Sequence, residues 1–236
     1  MYRIISLSVG LLSAAVIFLA LLVDAGAVVW PREETDVVAV MSPPEGVTAA
    51  VDRELVFPVT IQGTPLTAEH MVCYEGAFVE DGSNEPVFDI AALMVRNDGT
   101  QEILQVTITL YAGEERMIFN GQNILPGMRV MILEQDRKSY VPDGFTRCEG
   151  HAVLTTGTSL PILVHEQGMG ELQVTNIGEK TMSNVILYYK NWLQGDVYIG
   201  GITYAATIQQ LQPGDSVTVF PEHYAAGYSK IIKITA

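Results

Sequence analysis

Basic residues are scarce in this chain: 13 Lys and Arg stand against 27 Asp and Glu in 236 residues, a formal net charge of -14. Such a surface repels a phosphate backbone or an anionic membrane face, which excludes nucleic acid as a partner. Cysteine is limited to Cys73 and Cys148, and histidine to His70, His151, His165 and His223. His165-Glu166 begins like a zinc-protease pattern, yet no second His follows at the required spacing, and a surface strand end explains the pair. Neither a Gly-x-Ser-x-Gly elbow nor a Ser-x-x-Lys pair is present, so no hydroxyl nucleophile has an evident activating base. The sequence therefore assigns no catalytic, cofactor-binding or metal-ligating residue. Helical spacing nearly disappears after the stalk described next.

What is present begins with Ile4–Val23, twenty uncharged residues dominated by Leu, Ile, Val and Ala. At ~1.5 Å per residue they span one bilayer core as a helix, so the lipid bilayer is the first expected partner. Arg3 precedes the run, whereas Asp24, Glu33, Glu34 and Asp36 follow it, which places the N-terminus in the cytoplasm and the bulk of the chain outside. Ala25-Gly26-Ala27 also has the small-x-small pattern of a signal-peptidase site, and cleavage after Ala27 would give a secreted protein. The length of the apolar run and its single leading Arg favour retention as a single-pass anchor. No Cys follows the run to carry a lipid. Residues 1–29 are thus the anchor. Residues 30–53, acidic and bearing Pro31, Pro43 and Pro44, read as a flexible stalk.

Two cysteines in an exported chain suggest an oxidising compartment and one disulfide, Cys73 to Cys148. Closing that loop of about 75 residues stabilises by ~4 kcal/mol on the chain-entropy estimate. The alternative is two unpaired buried thiols, because free Cys packs as a small apolar residue.

The remainder reads as all-β, with short runs rich in Val, Ile, Thr and Tyr between Gly, Asn, Asp and Pro. Glu54 to Ile61 reads as an entry strand that Pro58 confines to an edge. Strands are expected at Cys73–Glu80, Val87–Asn97, Ile103–Ala112, Arg116–Phe119 and Met128–Glu134 in the first half. In the second they are expected at Leu160–Glu166, Glu171–Asn176, Ser183–Lys190, Val197–Ile208, Ser216–Phe220 and Ser229–Thr235. An internal repeat divides them. Leu93-x-Val95-x-Asn97-x-Gly99 matches Leu172-x-Val174-x-Asn176-x-Gly178, and Val106-x-Ile108-x-Leu110 matches Val185-x-Leu187-x-Tyr189 in the same register. Pro126-Gly127 then corresponds to Pro213-Gly214 after eight inserted residues in the second copy. The Asn-x-Gly is read as a turn in which Gly takes positive φ, and the alternation beyond it buries Leu93, Val95, Val106, Ile108, Leu110, Leu172, Val174, Val185 and Leu187. Two tandem antiparallel β-sandwiches follow, at 54–152 and 153–236.

At these residues the halves resemble the FxLYD-type and CARDB-like immunoglobulin-fold modules of bacterial cell-envelope proteins, over roughly 86–135 and 168–220. The resemblance implies two immunoglobulin-like modules that bind or space rather than catalyse, and carries over no functional residue. Thr109-Leu110-Tyr111 and Leu187-Tyr188-Tyr189 depart from the family's name motif.

The acidic run Glu80-Asp81-Gly82-Ser83-Asn84-Glu85 has oxygen ligands for a hard cation but not an EF-hand order, and reads as a hydrated hairpin tip. Tyr188, Tyr189, Trp192, Tyr198, Tyr204, Tyr224 and Tyr228 crowd the second half. Core packing accounts for many of them, but alternation prevents Tyr188 and Tyr189 from entering one core. Exposed Tyr and Trp stack on sugars or anchor protein partners, so Trp192, Tyr198 and Tyr224 beside the insertion form the candidate ligand surface. The expectation is a non-enzymatic extracytoplasmic protein of the cell envelope that binds or spaces, with an envelope protein or cell-wall glycan as partner. The competing classes are an envelope enzyme with an unrecognised carboxylate or metal site, and an accessory subunit of a membrane complex.

Overall fold

The computed structural model describes residues 54–236 apart from 158, 194 and 195, together with a short strand at Ala39–Val40. The expected anchor Ile4–Val23 and the cleavage site after Ala27 lie outside the described residues. Among the described residues no helix is long and apolar enough to cross a membrane.

The described chain is all-β. Its strands are β1 (Ala39–Val40), β2 (Val59–Thr60), β3 (Leu66–Phe78), β4 (Glu85–Asn97), β5 (Glu102–Ala112), β6 (Glu115–Ile124), β7 (Arg129–Leu133), β8 (Arg147–Thr155), β9 (Ile162–Gly168), β10 (Glu171–Asn176), β11 (Met182–Leu193), β12 (Val197–Leu211), β13 (Ser216–Val219) and β14 (Ser229–Thr235). Strands β10 and β14 have the expected bounds, while β3 begins at Leu66, well before the expected Cys73, and ends at Phe78 short of Glu80, and β6 runs past Phe119 to Ile124. Strand β8 was not anticipated, because Arg147, Glu149, Gly150 and His151 dilute its alternation. Strand β1 lies within the supposed stalk and pairs Ala39 with Leu154 and Val40 with Val153 of β8, closing an edge that would otherwise be open.

Each copy of the repeat folds the same way. Strands β3–β8 form two facing sheets, β3-β4-β7 and β6-β5-β8, and β9–β14 form β9-β10-β13 and β12-β11-β14. Between the first pair lie Leu93, Val95, Val106, Ile108, Leu110, Phe119 and their neighbours; between the second lie Leu172, Val174, Val185 and Leu187. All nine residues expected in the cores are buried. Residues Ile90 to Val95 are buried without alternation, since β4 is covered on both faces.

The repeated Asn works differently from the turn role read in the sequence. Neither Gly99 nor Gly178 has positive φ; that conformation belongs to Gly127 and Gly214 of the Pro-Gly pairs, at +76° and +78°. Asn97 is fully buried, and its Nδ2 donates to the carbonyls of Gln101 (2.9 Å) and Ile124 (2.8 Å) while its Oδ1 accepts from Gly99 N (2.9 Å). Asn176 repeats this with Lys180 (2.8 Å), Leu211 (3.0 Å) and Gly178 (2.9 Å). Glycine follows because a Cβ would meet Pro65 at 2.8 Å in one copy and Pro161 at 2.6 Å in the other. Each Asn thus joins the two sheets of its sandwich. Asn97→Ala or Asn176→Ala should cost roughly 2–4 kcal/mol by leaving buried carbonyls unpaired, and the Asp variants about as much because a carboxylate cannot donate. Urea denaturation checks this; a loss below about 0.5 kcal/mol would show the network to be dispensable.

The copies are not separate beads on a string. Parallel pairing of Val197, Tyr198 and Ile199 in β12 with Arg129, Val130 and Met131 in β7 joins them into one seven-stranded sheet, β14-β11-β12-β7-β4-β3-β2. Each sandwich keeps its own second sheet. The inserted residues build this junction: β11 and β12 have 12 and 15 residues, against 11 and 10 in the equivalent β5 and β6.

The expected disulfide is absent. Cys73 is an exposed free thiol on β3 donating to Asp89 Oδ1 at 3.2 Å, whereas Cys148 is buried on β8 in the opposite sheet. Counting cysteines could not show that one faces solvent while the other packs in the first core.

Candidate functional site

At the junction β12 departs from its partners. Tyr189 of β11 pairs with Tyr204 and Asn191 with Ile199, so Gly200 to Thr203 bulge opposite Lys190 alone. Gly200 has φ +83°, and a Cβ on Gly201 would lie 1.6 Å from the carbonyl oxygen of Asn120 in β6. Only glycine permits so close a backbone approach.

Two ionisable side chains hold this bulge. Lys190 is fully buried and donates to the carbonyls of Gly200 (3.2 Å), Gly201 (2.9 Å) and Ile202 (2.6 Å). Glu80, half-buried, accepts from the amides of Gly201 (2.8 Å), Ile202 (3.2 Å) and Leu133 (2.8 Å). Its carboxylate occupies the point where β7 and β12 separate and replaces the ladder hydrogen bonds lost there. Burial pushes the Lys190 ammonium down to about 7, opposed by the charge of Glu80. Burial also raises Glu80, against the pull of those amides and of Lys190. Thus Glu80 belongs to the protein's interior contacts and not to a hydrated loop tip. Asp81 and Glu85 of the same run pair with Arg137.

Beside the bulge opens a cleft of about 290 Å³, walled by Tyr74, Ala77, Val79 and Asn84 of the first copy and by Asn191, Trp192, Leu193, Ile199, Tyr204, His223, Ala225 and Tyr228 of the second. Aromatic rings dominate it. Tyr204 stacks on Tyr189 with centroids 5.7 Å apart and lies 5.0 Å from the His223 ring. Lys230 Nζ sits 3.7 Å from the centre of the Trp192 ring. Burial, and the charge of Glu80 after it, raise the phenols of Tyr74 and Tyr204, so both keep their protons at neutral pH. Two polar atoms of the cleft residues, Trp192 Nε1 and Tyr204 Oη, are buried with no hydrogen-bond partner. An unpaired buried donor costs about 1–3 kcal/mol.

Of the three residues expected to form a ligand surface, Trp192 and Tyr198 are cross-strand neighbours, while Tyr224 packs elsewhere. Trp192 lines the cleft; Tyr198, its cross-strand partner, packs on the first core beside β7. Tyr224 packs on the second core, edge-to-face with Tyr189 at 5.4 Å, and its hydroxyl donates to Glu166 Oε2 at 2.8 Å. Of the crowded tyrosines, Tyr189 is buried and its hydroxyl donates to the Glu222 carbonyl, while Tyr228 is exposed and Tyr188 half-buried. Tyr74 carried no signal in the sequence, and Asn84 only one as part of the acidic run, because only the β7–β12 pairing brings the first copy's hairpin to the second copy's aromatics. No family model, no curated protein and no solved structure matches this chain. The resemblance to envelope modules therefore rests on its short motifs.

Proposed function

We propose that this chain is a non-catalytic extracytoplasmic binding protein of the bacterial cell envelope, held by Ile4–Val23 and presenting two immunoglobulin-like sandwiches. The aromatic cleft with its two unpaired polar atoms carries the reading, since a polar atom left unpaired beside a cavity favours an occupant. The shared seven-stranded sheet supports a second use as a rigid spacer, because relative motion of the halves would break the β7–β12 ladder.

The free cysteines remove one argument for export, and they also supply a test. The Cys73 thiol is exposed, with its pKa raised by the hydrogen bond to Asp89, while burial pushes Cys148 up to about 12. A membrane-impermeant maleimide should therefore label the full-length protein on intact cells slowly and at Cys73 alone, with Cys148 reacting only after unfolding. Labelling that needs cell lysis would place the domains inside and end the envelope reading. The full chain in detergent is then mixed with protein-stripped envelope material. Retention reduced about tenfold by Trp192→Ala, with Cys148 still unreactive as proof of folding, supports binding. Retention that is absent, or equal in both proteins, leaves the spacer.

A further inference from the structure

We infer that the junction cleft receives one neutral saccharide ring, a proposal that rests on the binding reading above. Three observations select this chemistry. First, among the described lining residues there is no carboxylate, ammonium or guanidinium; the ionisable side chains there are the His223 imidazole and the tyrosine phenols. A neighbouring hollow, by contrast, is lined by Glu80, Asp81, Asp136 and Arg137. The nearest ammonium, Lys230, lies over the Trp192 ring and already pairs with Asp196 at 4.0 Å, and a neutral ligand needs no counter-charge.

Second, the wall combines ring faces with separated polar atoms. Trp192, Tyr204 and Tyr74 supply apolar area, and Asn84 and Asn191 bring side-chain amides. A pyranose presents a C–H face that lies against an aromatic ring, and its hydroxyls both donate and accept. That matches an indole N–H that can only donate and a phenol that can do either. Both unpaired atoms belong to lining residues but are themselves buried, so a ligand reaches them only if the side chains shift on binding.

Third, size and topology narrow the choice. About 290 Å³ is at the lower end of small-molecule sites, enough for a ring and its substituents but not a folded segment. On the wall bearing the unpaired indole, β11 is hydrogen-bonded on both sides at Asn191, to Ile199 of β12 and Ser229 of β14. No backbone ladder is open there for an extended peptide to join.

The test uses the full chain with Trp30→Phe, which leaves Trp192 as the sole tryptophan, in a detergent without a sugar headgroup. Neutral hexoses, N-acetylhexosamines, their dimers, uronic acids and short neutral peptides are titrated while Trp192 emission and binding heat are followed. A saturable response to a neutral saccharide is expected. Tyr204→Phe should weaken it about fivefold while raising the thermal midpoint, because that change removes a buried hydroxyl with no partner. Tyr188→Phe, away from the cleft, should leave affinity within about twofold. A Tyr204 hydroxyl that is only structural would not give opposite signs for affinity and stability. The proposal is overturned if no neutral saccharide produces either signal, if only uronic acids or peptides do, or if Tyr204→Phe leaves affinity unchanged. Envelope retention that depends on Trp192 in the absence of a saccharide response would discard the ligand class and leave the binding reading standing.

Discussion

Gly201→Ala is expected to destabilise the protein by roughly 3–5 kcal/mol and to uncouple its two halves, the effect of forcing a core-like clash onto backbone. The added methyl would sit 1.6 Å from Asn120 O and 2.7 Å from Asn120 C, both backbone atoms that no rotamer change can move. Relief requires β12 to lift away from β6. Lifting it breaks the Glu80 contacts to Gly201 and Ile202 and strains the adjacent pairing of Val197–Ile199 with β7. Differential scanning calorimetry should then resolve two transitions where the parent has one, because each sandwich retains its own core. Gly200→Ala is the milder comparison: its φ of +83° is unfavourable, but the nearest atom to a new Cβ is Cγ2 of Val79, a side chain that can give. If Gly201→Ala shifts stability by less than about 1 kcal/mol, β12 does not approach β6 so closely, and the shared sheet falls with it.

That junction marks where the sequence stopped being legible. Alternation placed Leu93, Val95, Val106 and Ile108 inward, since a period of two on a half-buried strand records burial directly. The repeat paired the copies in register because Asn97 and Asn176 each perform the same sheet-joining task. It also held the means to find β8: its counterpart β14 was evident, and a copy of six strands requires six in the other. The eight inserted residues were a visible anomaly, but their outcome is a contact with β6 and β7, 68 to 81 positions earlier in the chain. Pairing over that separation leaves no local pattern. The candidate site suffered most, because its walls come from both copies: Trp192 was legible as an aromatic near a hairpin tip, while Tyr74 and Asn84 became neighbours only through the sheet. Glu80 misled for the same reason, as a carboxylate among Asp, Gly, Ser and Asn looks hydrated until its amide partners are known.

Lys190→Met should cost roughly 3–5 kcal/mol, the usual result of removing one partner from a buried charged cluster. Methionine fills a similar volume, so the loss reports on polarity: the carbonyls of Gly200, Gly201 and Ile202 lose a shared donor, and Glu80 loses the charge that offsets its burial. Adding Glu80→Gln should cost less than the sum of the single changes, since each variant already forfeits the interaction between the two. The pH dependence gives a sharper test. Lys190 titrates near 7 in the folded chain, down from 10.5, so between those values the unfolded state holds the extra proton. Stability then rises with pH across that window, by at most about 1.4 kcal/mol per unit, and the full desolvation penalty of the ammonium applies below it. Glu80 acts lower on the scale. Its raised pKa gives stability that is present below its ordinary value of 4.5 and lost as pH climbs through the folded value. Urea unfolding of the parent at pH 7 and pH 9 should therefore show the higher stability at pH 9, a difference that Lys190→Met abolishes. Equal slopes in the two proteins would mean that Lys190 keeps its proton throughout, held by its three carbonyls and the charge of Glu80, and that the bulge is clamped by a permanently charged ammonium.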